Sequence, residues 1–264
     1  MIFSVLFTII GLSLFETISS VDNAIINAEV LSTMGHKAKR WFLTWGMLIS
    51  VFLVRGLLPF FIIWVFNPTL RIGQVLSAAW SSDPLVHSSI EKSAPILLIA
   101  GGVFLVFLFL HWLFLEDKNF GIPKAEKFFM EKGIWFYAVV SVLLSFITYF
   151  ALEQNNLMAL GAVIGSSLFF ITHGFKQNAE EQEKKLLNKI SSQSDLSKLF
   201  FLEIIDSTFS IDGVLGAFAF TLSVPLILFG NGLGAIIVRQ FTINNIERIK
   251  KYVFLKNGAM YSIL

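Results

Sequence analysis

The stretch FETISSVDNAI, Phe15 to Ile25, decides how this chain is read. It continues the run MIFSVLFTIIGLSL, residues 1–14, which is apolar enough to enter a membrane. Yet it carries Glu16 and Asp22, with Ser19, Ser20 and Asn23 around them. An ionised side chain at the centre of a spanning helix costs at least ~2.5–3.5 kcal/mol on insertion scales. Such acids face a protein interior or a wet cavity, and they mark function by default.

Composition supports the membrane reading. Of 264 residues, 55% are hydrophobic, 14% are charged and 29 are Phe, and mean hydropathy is +0.74. A soluble domain carries about 25% charged residues. A net charge of +2 offers no nucleic-acid surface. The absence of cysteine excludes disulfides, thiolate metal sites and cysteine catalysis. The first residues lack the basic region and small-residue cleavage site of a signal peptide, so they are expected to stay as a span.

A spanning helix needs about 20 mostly apolar residues. Spans are predicted at 2–31, 41–65, 94–115, 134–152, 157–175, 199–222 and 225–243, with a shortened eighth from Tyr252. Pro59 is expected to kink the second span. The 66–93 connection has room for a short interfacial helix within LRIGQVLSAAWSSD. Lys and Arg collect in alternate loops: Lys37, Lys39 and Arg40; Lys118, Lys124, Lys127 and Lys132; Lys176, Lys184, Lys185, Lys189 and Lys198; Arg248, Lys250 and Lys251. The opposite loops hold only Arg71 and Lys92. Basic loops stay on the cytoplasmic side, which puts the N-terminus outside. The 176–198 loop is expected to be a solvated, partly helical connector.

The opening motif occurs twice. Glu16-Thr-Ile-Ser-Ser20-Val-Asp22-Asn23 aligns with Asp206-Ser-Thr208-Phe-Ser210-Ile-Asp212-Gly213, and Glu203 stands where the first copy has Ser13. The following spans align as well: WGMLISVFLVR ends at Arg55 and FGNGLGAIIVR at Arg239. By the loop rule the first span runs inward and the sixth outward. The chain is therefore expected to be an all-α polytopic membrane bundle of two inverted repeats. The first covers 1–115 and the second 199–264, with two linking spans over 116–175 and the charged loop 176–198 between them. Inverted repeats with a site near the midplane are a common transporter architecture.

The chemistry follows from the acids. Glu16, Asp22, Glu203, Asp206 and Asp212 outnumber Arg55 and Arg239. Carboxylate, Asn23 carboxamide and hydroxyl oxygens suit a hard divalent cation. Ser20, Ser210, Asn27 and Thr208 are candidate supporting polar groups. Glu16, Ser20, Asn23 and Asn27 share one helix face, while Asp22 lies ~200° from Ser20 on an unbroken helix. Either both helices unwind at Ser20–Asn23 and Ser210–Gly213, or the acids address different partners. Alternatively, the charges simply pair to fix packing, with Asp22–Arg239 and Asp212–Arg55 as bridges. His111 and His173, near inner span ends, read as interfacial. GAVIGSS at 161–167 and the pair Gly101–Gly102 suit close helix packing. No Walker, HExxH or Ser/His/Asp pattern appears, so an enzyme is not expected.

At Glu16 with SVDNA (20–24), and again at DSTFSIDGV (206–214), the sequence resembles the TerC family of integral membrane proteins, within the wider LysE transporter superfamily. LEIIDSTFSIDGVLGAFA, VRQFT and FLKNGAMYSI resemble one branch of it. The resemblance spans nearly the whole chain. It implies a metal-ion exporter of the bacterial cytoplasmic membrane with manganese as cargo; tellurite resistance is the older label. It carries Glu16, Asp22 and Asn23 onto the first motif and Asp206, Asp212 and Gly213 onto the second, where Gly213 replaces the usual Asn. The family's second half has a complete third helix. Tyr252–Leu264 spans ~20 Å as helix, so a truncated, poorly packed end is expected.

The leading expectation is a secondary transporter exporting a divalent cation, Mn²⁺ first, with no resident cofactor and no nucleic-acid partner, and with room for a homo-oligomer. The alternatives are an exporter of an organic solute such as a basic amino acid, and a non-transporting scaffold of a metal or tellurite stress complex.

Overall fold

The computed structural model describes residues 2–46, 48–49, 55–67, 70–77, 84–187, 194–244 and 254–263. Among them there is no strand. The helices are α1 Ile2–Ser19, α2 Val21–Ser32, α3 His36–Trp41, α4 Arg55–Phe66, α5 Ile72–Ser77, α6 Pro84–Leu115, α7 Pro123–Glu131, α8 Phe136–Gln154, α9 Asn156–Leu187, α10 Asp195–Ala217, α11 Val224–Asn244 and α12 Leu255–Ile263. A π-helical turn, Phe42–Gly46, follows α3 directly.

Among the described residues, three segments are long and apolar enough to cross a membrane: Glu91–Leu115, Gly133–Gln154 and Asn156–Phe175. Phe3–Ser19, Arg55–Val65 and Val224–Val238 are shorter apolar helices. On α8 the large side chains Val142, Phe146, Tyr149 and Phe150 are exposed. An apolar surface of this extent is matched by hydrocarbon rather than water, consistent with a membrane protein.

α6 is the central pillar. Its Phe104, Phe107 and Trp112 are fully buried, packing with Phe136 of α8 and Phe169 of α9. Close approach of α9 depends on glycine, as the 161–167 run predicts. A Cβ on Gly161 would stand 2.7 Å from the Ile96 carbonyl oxygen, and one on Gly165 2.8 Å from the Ala100 Cα. Gly101 likewise has no room against Ala219 N of the segment after α10, whereas Gly102 faces open space. The Gly165→Ala variant is therefore expected to lose about 1–3 kcal/mol. Gly102→Ala should match or slightly exceed the parent. Thermal unfolding of the two in the same detergent checks this.

The two halves cross-pack. α1 runs along α11, and α10 lies against α4. Equivalent positions of the sequence repeat meet reciprocally. Ser13 Oγ donates to the Gly230 carbonyl at 2.9 Å. In the other half, the Glu203 carboxylate sits where a side chain on Gly46 would have to be.

Several expectations meet the structure directly. α9 continues to Leu187, so the connector after Phe175 is helical in its first part. A short helix, α5, stands in the 66–93 connection. Pro59 lies one turn into α4, and the bond it cannot donate would have gone to the Arg55 carbonyl. The poorly packed end is a correction. α12 is docked: Met260 is buried, and Tyr261 meets Trp112 edge-on at 5.4 Å between ring centroids. Side-chain anchoring, described below, makes up for the helix's shortness.

Candidate functional site

Glu16 of the first motif has no solvent exposure. α1 ends at Ser19, and Ser20 forms a one-residue break at φ −95°, ψ 0° before α2. The break is shallow: Ser20 N still bonds Glu16 O at 3.1 Å, and Ala24 N bonds Ser20 O at 2.9 Å. It turns the Ser20 hydroxyl back onto Glu16 Oε1 at 2.6 Å. The Arg55 guanidinium, at the start of α4, meets the same oxygen at 2.9 Å, with both side chains buried.

Glycines of the second half make the slot for this carboxylate. A Cβ on Gly234 of α11 would lie 2.6 Å from Glu16 Cβ. A Cβ on Gly213 of α10 would collide with Glu16 Oε2. Asn231 of α11, also buried, donates to the Gly213 carbonyl at 3.3 Å. The proposed Asp212–Arg55 bridge is thereby corrected: Arg55 pairs with Glu16. Of the two alternatives for the second copy, unwinding is not seen: α10 runs unbroken through Ser210–Gly213. There the Ser210 hydroxyl turns to the backbone carbonyl of Asp206 at 2.6 Å.

Asp212 lies off the Gly213 face and looks the other way. It lines a cavity of about 400 Å³ together with Ser19 of the first motif. Thr172, Gln177, His111, His173, Glu116, Asp117 and Lys256 add polar groups, and Phe104, Leu108, Phe169 and Met260 give apolar wall.

Residues 21–264 match the family described as "protein of unknown function (DUF475)". The chain belongs to the DUF475 family. No curated protein and no solved structure matches it.

In this DUF475 chain the described acids of the two motifs are spread over three places. Glu16 sits in the glycine slot, Asp212 at the cavity, and Glu203 beside Gly46 with Asp206 one turn further along α10. Among the described residues, no three His, Asp or Glu side chains stand close enough to hold a metal ion. Asn27 is buried on α2. The side chains of Asp22, Asn23, Thr208 and Arg239 lie outside the described residues, and the Asp22–Arg239 bridge with them.

The histidines are the main addition to the sequence reading. His111 of α6 and His173 of α9 stand side by side, 3.8 Å between ring centroids, on the cavity wall. The available signal was their shared depth near the inner ends of two spans. Asn231, inside the glycine run that pairs with α1, was missed because a lone buried Asn has no pattern.

The DUF475 chain closes one side of the cavity with α12. Lys256 pairs with Glu116, and Lys256 and Met260 both line the cavity. Behind them Glu126 is fully buried and accepts from Gly121 N and Ile122 N, both at 3.0 Å. It also accepts from Tyr261 Oη at 2.7 Å and from Asn257 Nδ2 at 3.2 Å. Burial pushes the Glu126 carboxyl upward, but these four donors outweigh it and hold the group below the usual carboxylate range. Lys118 caps the carbonyls of Trp112 and Leu113 at the end of α6. Burial lowers its ammonium pKa, against the opposing pull of Glu126 and Glu116.

Proposed function

We propose that this DUF475 protein is a secondary transporter that exports a cation, with a divalent metal ion as cargo and Mn²⁺ first. The observation that carries the reading is that both acidic motifs reach one cavity, Ser19 from the first and Asp212 from the second. The resemblance to the TerC family supports manganese. The reciprocal packing of α1 on α11 and α10 on α4 supports two inverted repeats within seven spans. Alternate basic loops support an outside N-terminus in a bacterial cytoplasmic membrane. In this reading Glu16 is neutralised by Arg55 and shapes the site. Asp212 receives the cargo at the cavity wall.

A second reading, export of an organic cation such as a basic amino acid, is favoured by the cavity itself. Its volume of about 400 Å³ and its partly apolar wall resemble a small-molecule pocket. An ammonium group would then lie on Asp212 and an aliphatic stem along Phe104, Leu108 and Met260.

One experiment separates the readings. Cells expressing the parent are expected to hold less manganese than cells expressing Asp212→Asn at equal membrane abundance, measured by elemental analysis. Loss of arginine or lysine efflux with manganese unchanged would favour the second reading. Equal manganese and equal amino-acid efflux in parent and variant would defeat both, leaving the charges as packing bridges of a scaffold.

A further inference from the structure

A second pocket, separate from both acidic motifs, lies on α3 and the π-helical turn that follows it. It has a volume of about 340 Å³ and is lined by His36, Lys37, Arg40, Trp41, Thr44 and Trp45. Lys37, Trp41 and Trp45 recur every four residues, as do Arg40 and Thr44, so basic and aromatic groups share one side of the segment. Phe42 and Gly46 are buried and anchor the opposite side.

The two strong cations of this pocket are not engaged by the protein. Lys37 and Arg40 are exposed, and among the described residues neither forms an ion pair or a side-chain hydrogen bond. Nearby polar groups are committed elsewhere. Lys39 Nζ donates to Ser32 O at 3.4 Å, Lys198 Nζ to Thr33 O at 3.1 Å, and Asp195 accepts from Gly35 N at 3.2 Å. Trp41 and Trp45 are 42% and 59% exposed, and Leu48 and Ile49 just beyond them are 49% and 40% exposed. Polarity therefore changes along the segment from cationic through indole to aliphatic. That is the order met on passing from a lipid headgroup layer into hydrocarbon.

We propose that this pocket binds the headgroup of an anionic phospholipid. The phosphodiester would sit between Lys37 and Arg40, with His36 and the Thr44 hydroxyl within its reach. The indoles of Trp41 and Trp45 would lie along the glycerol, and Leu48 and Ile49 against the acyl chains. A soluble phosphate would use the two cations but leave both indoles and the aliphatic pair wet. The continuous gradient favours the lipid.

The test is lipid binding by the purified full chain in neutral detergent, read as the concentration of phosphatidylglycerol that gives half the maximal rise in unfolding temperature. Each basic group near an anionic lipid surface is worth roughly fivefold in affinity. The Lys37→Gln/Arg40→Gln double variant is thus expected to need about 10- to 30-fold more phosphatidylglycerol than the parent. Lys39→Gln removes one nearby charge already committed to Ser32 and should bind as the parent does. Phosphatidylcholine should act equally and weakly on all three proteins. The proposal is overturned if the double variant responds like the parent, if Lys39→Gln weakens binding as much, or if inorganic phosphate alone reproduces the shift.

Discussion

Arg55→Ala is expected to lose about 3–5 kcal/mol of stability, the largest effect expected of any single change in the protein interior. The reason lies in what is left behind. Taking an ion pair out of water is costly, and in the native protein the attraction between the partners offsets that cost. Glu16 and Arg55 meet at 2.9 Å with both side chains buried. Without the guanidinium, Glu16 keeps only the Ser20 hydroxyl, in a slot walled by Gly213 and Gly234. Glu16→Gln in the Arg55→Ala background removes the stranded charge and should recover most of the loss. The double variant is then more stable than the single one, which a simple loss of packing contacts would not produce. Denaturant or thermal unfolding of parent, single and double variants in one detergent measures this. A single variant within ~1 kcal/mol of the parent would show that the pair is not the buried bridge described here.

The same slot explains a feature of the second motif. Gly213 stands where the first copy carries Asn23, and any Cβ there would collide with Glu16 Oε2. A long acid in the first copy and a glycine in the second are complementary halves of one contact. The motif's asymmetry reflects packing.

What the sequence made legible was whatever repeats. Helical character, apolar spans at 94–115, 134–152 and 157–175, and glycine-mediated approach at 161–167 all follow from periodicity or runs. The acids of the motif could be named, but not which arginine each would meet. Pairing Arg55 with Glu16 rather than Asp212 depends on the rotation of α10, where a single residue step turns Gly213 toward α1 and Asp212 toward the cavity. Such a rotation is set by close contacts between helices, and one sequence does not display it. The pairing of the two histidines was not fixed by the sequence for a related reason. His111 and His173 are far apart along the chain, and only the packing of α6 on α9 brings the rings together. α12 was misjudged because hydropathy measures whether a helix can cross a bilayer and does not register side chains that can anchor it.

That anchor is the subject of the second large effect. Glu126→Ala is expected to undock α12 and to cost at least about 3 kcal/mol, since hydrogen bonds to a charged acceptor are worth about 1.5–3 kcal/mol each and their sum is not additive. The carboxylate holds two backbone N–H groups of the turn into α7 and two side chains of α12 at once. No neutral side chain replaces it: Glu126→Gln keeps one acceptor oxygen, turns the other into a donor facing Gly121 N, and should show an intermediate loss. The pH dependence has a definite sign. The folded protein holds the Glu126 carboxyl below the usual carboxylate range, so the unfolded chain takes up the proton first as pH falls. The stabilisation is fully present above the ordinary glutamate value and fades as pH drops through the lower folded one. Hydrogen exchange of residues 254–263 is the measurement. In the parent, protection should hold at neutral pH and fall in acid. In Glu126→Gln it should start lower and vary less with pH. Because Lys256 and Met260 line the cavity, release of α12 also removes one of its walls. If the protein is the transporter proposed above, the Glu126→Ala variant should lose export together with α12 protection, even though Glu126 itself does not line the cavity. Full protection of 254–263 in Glu126→Ala would mean that aromatic packing on Trp112 alone holds the helix in place.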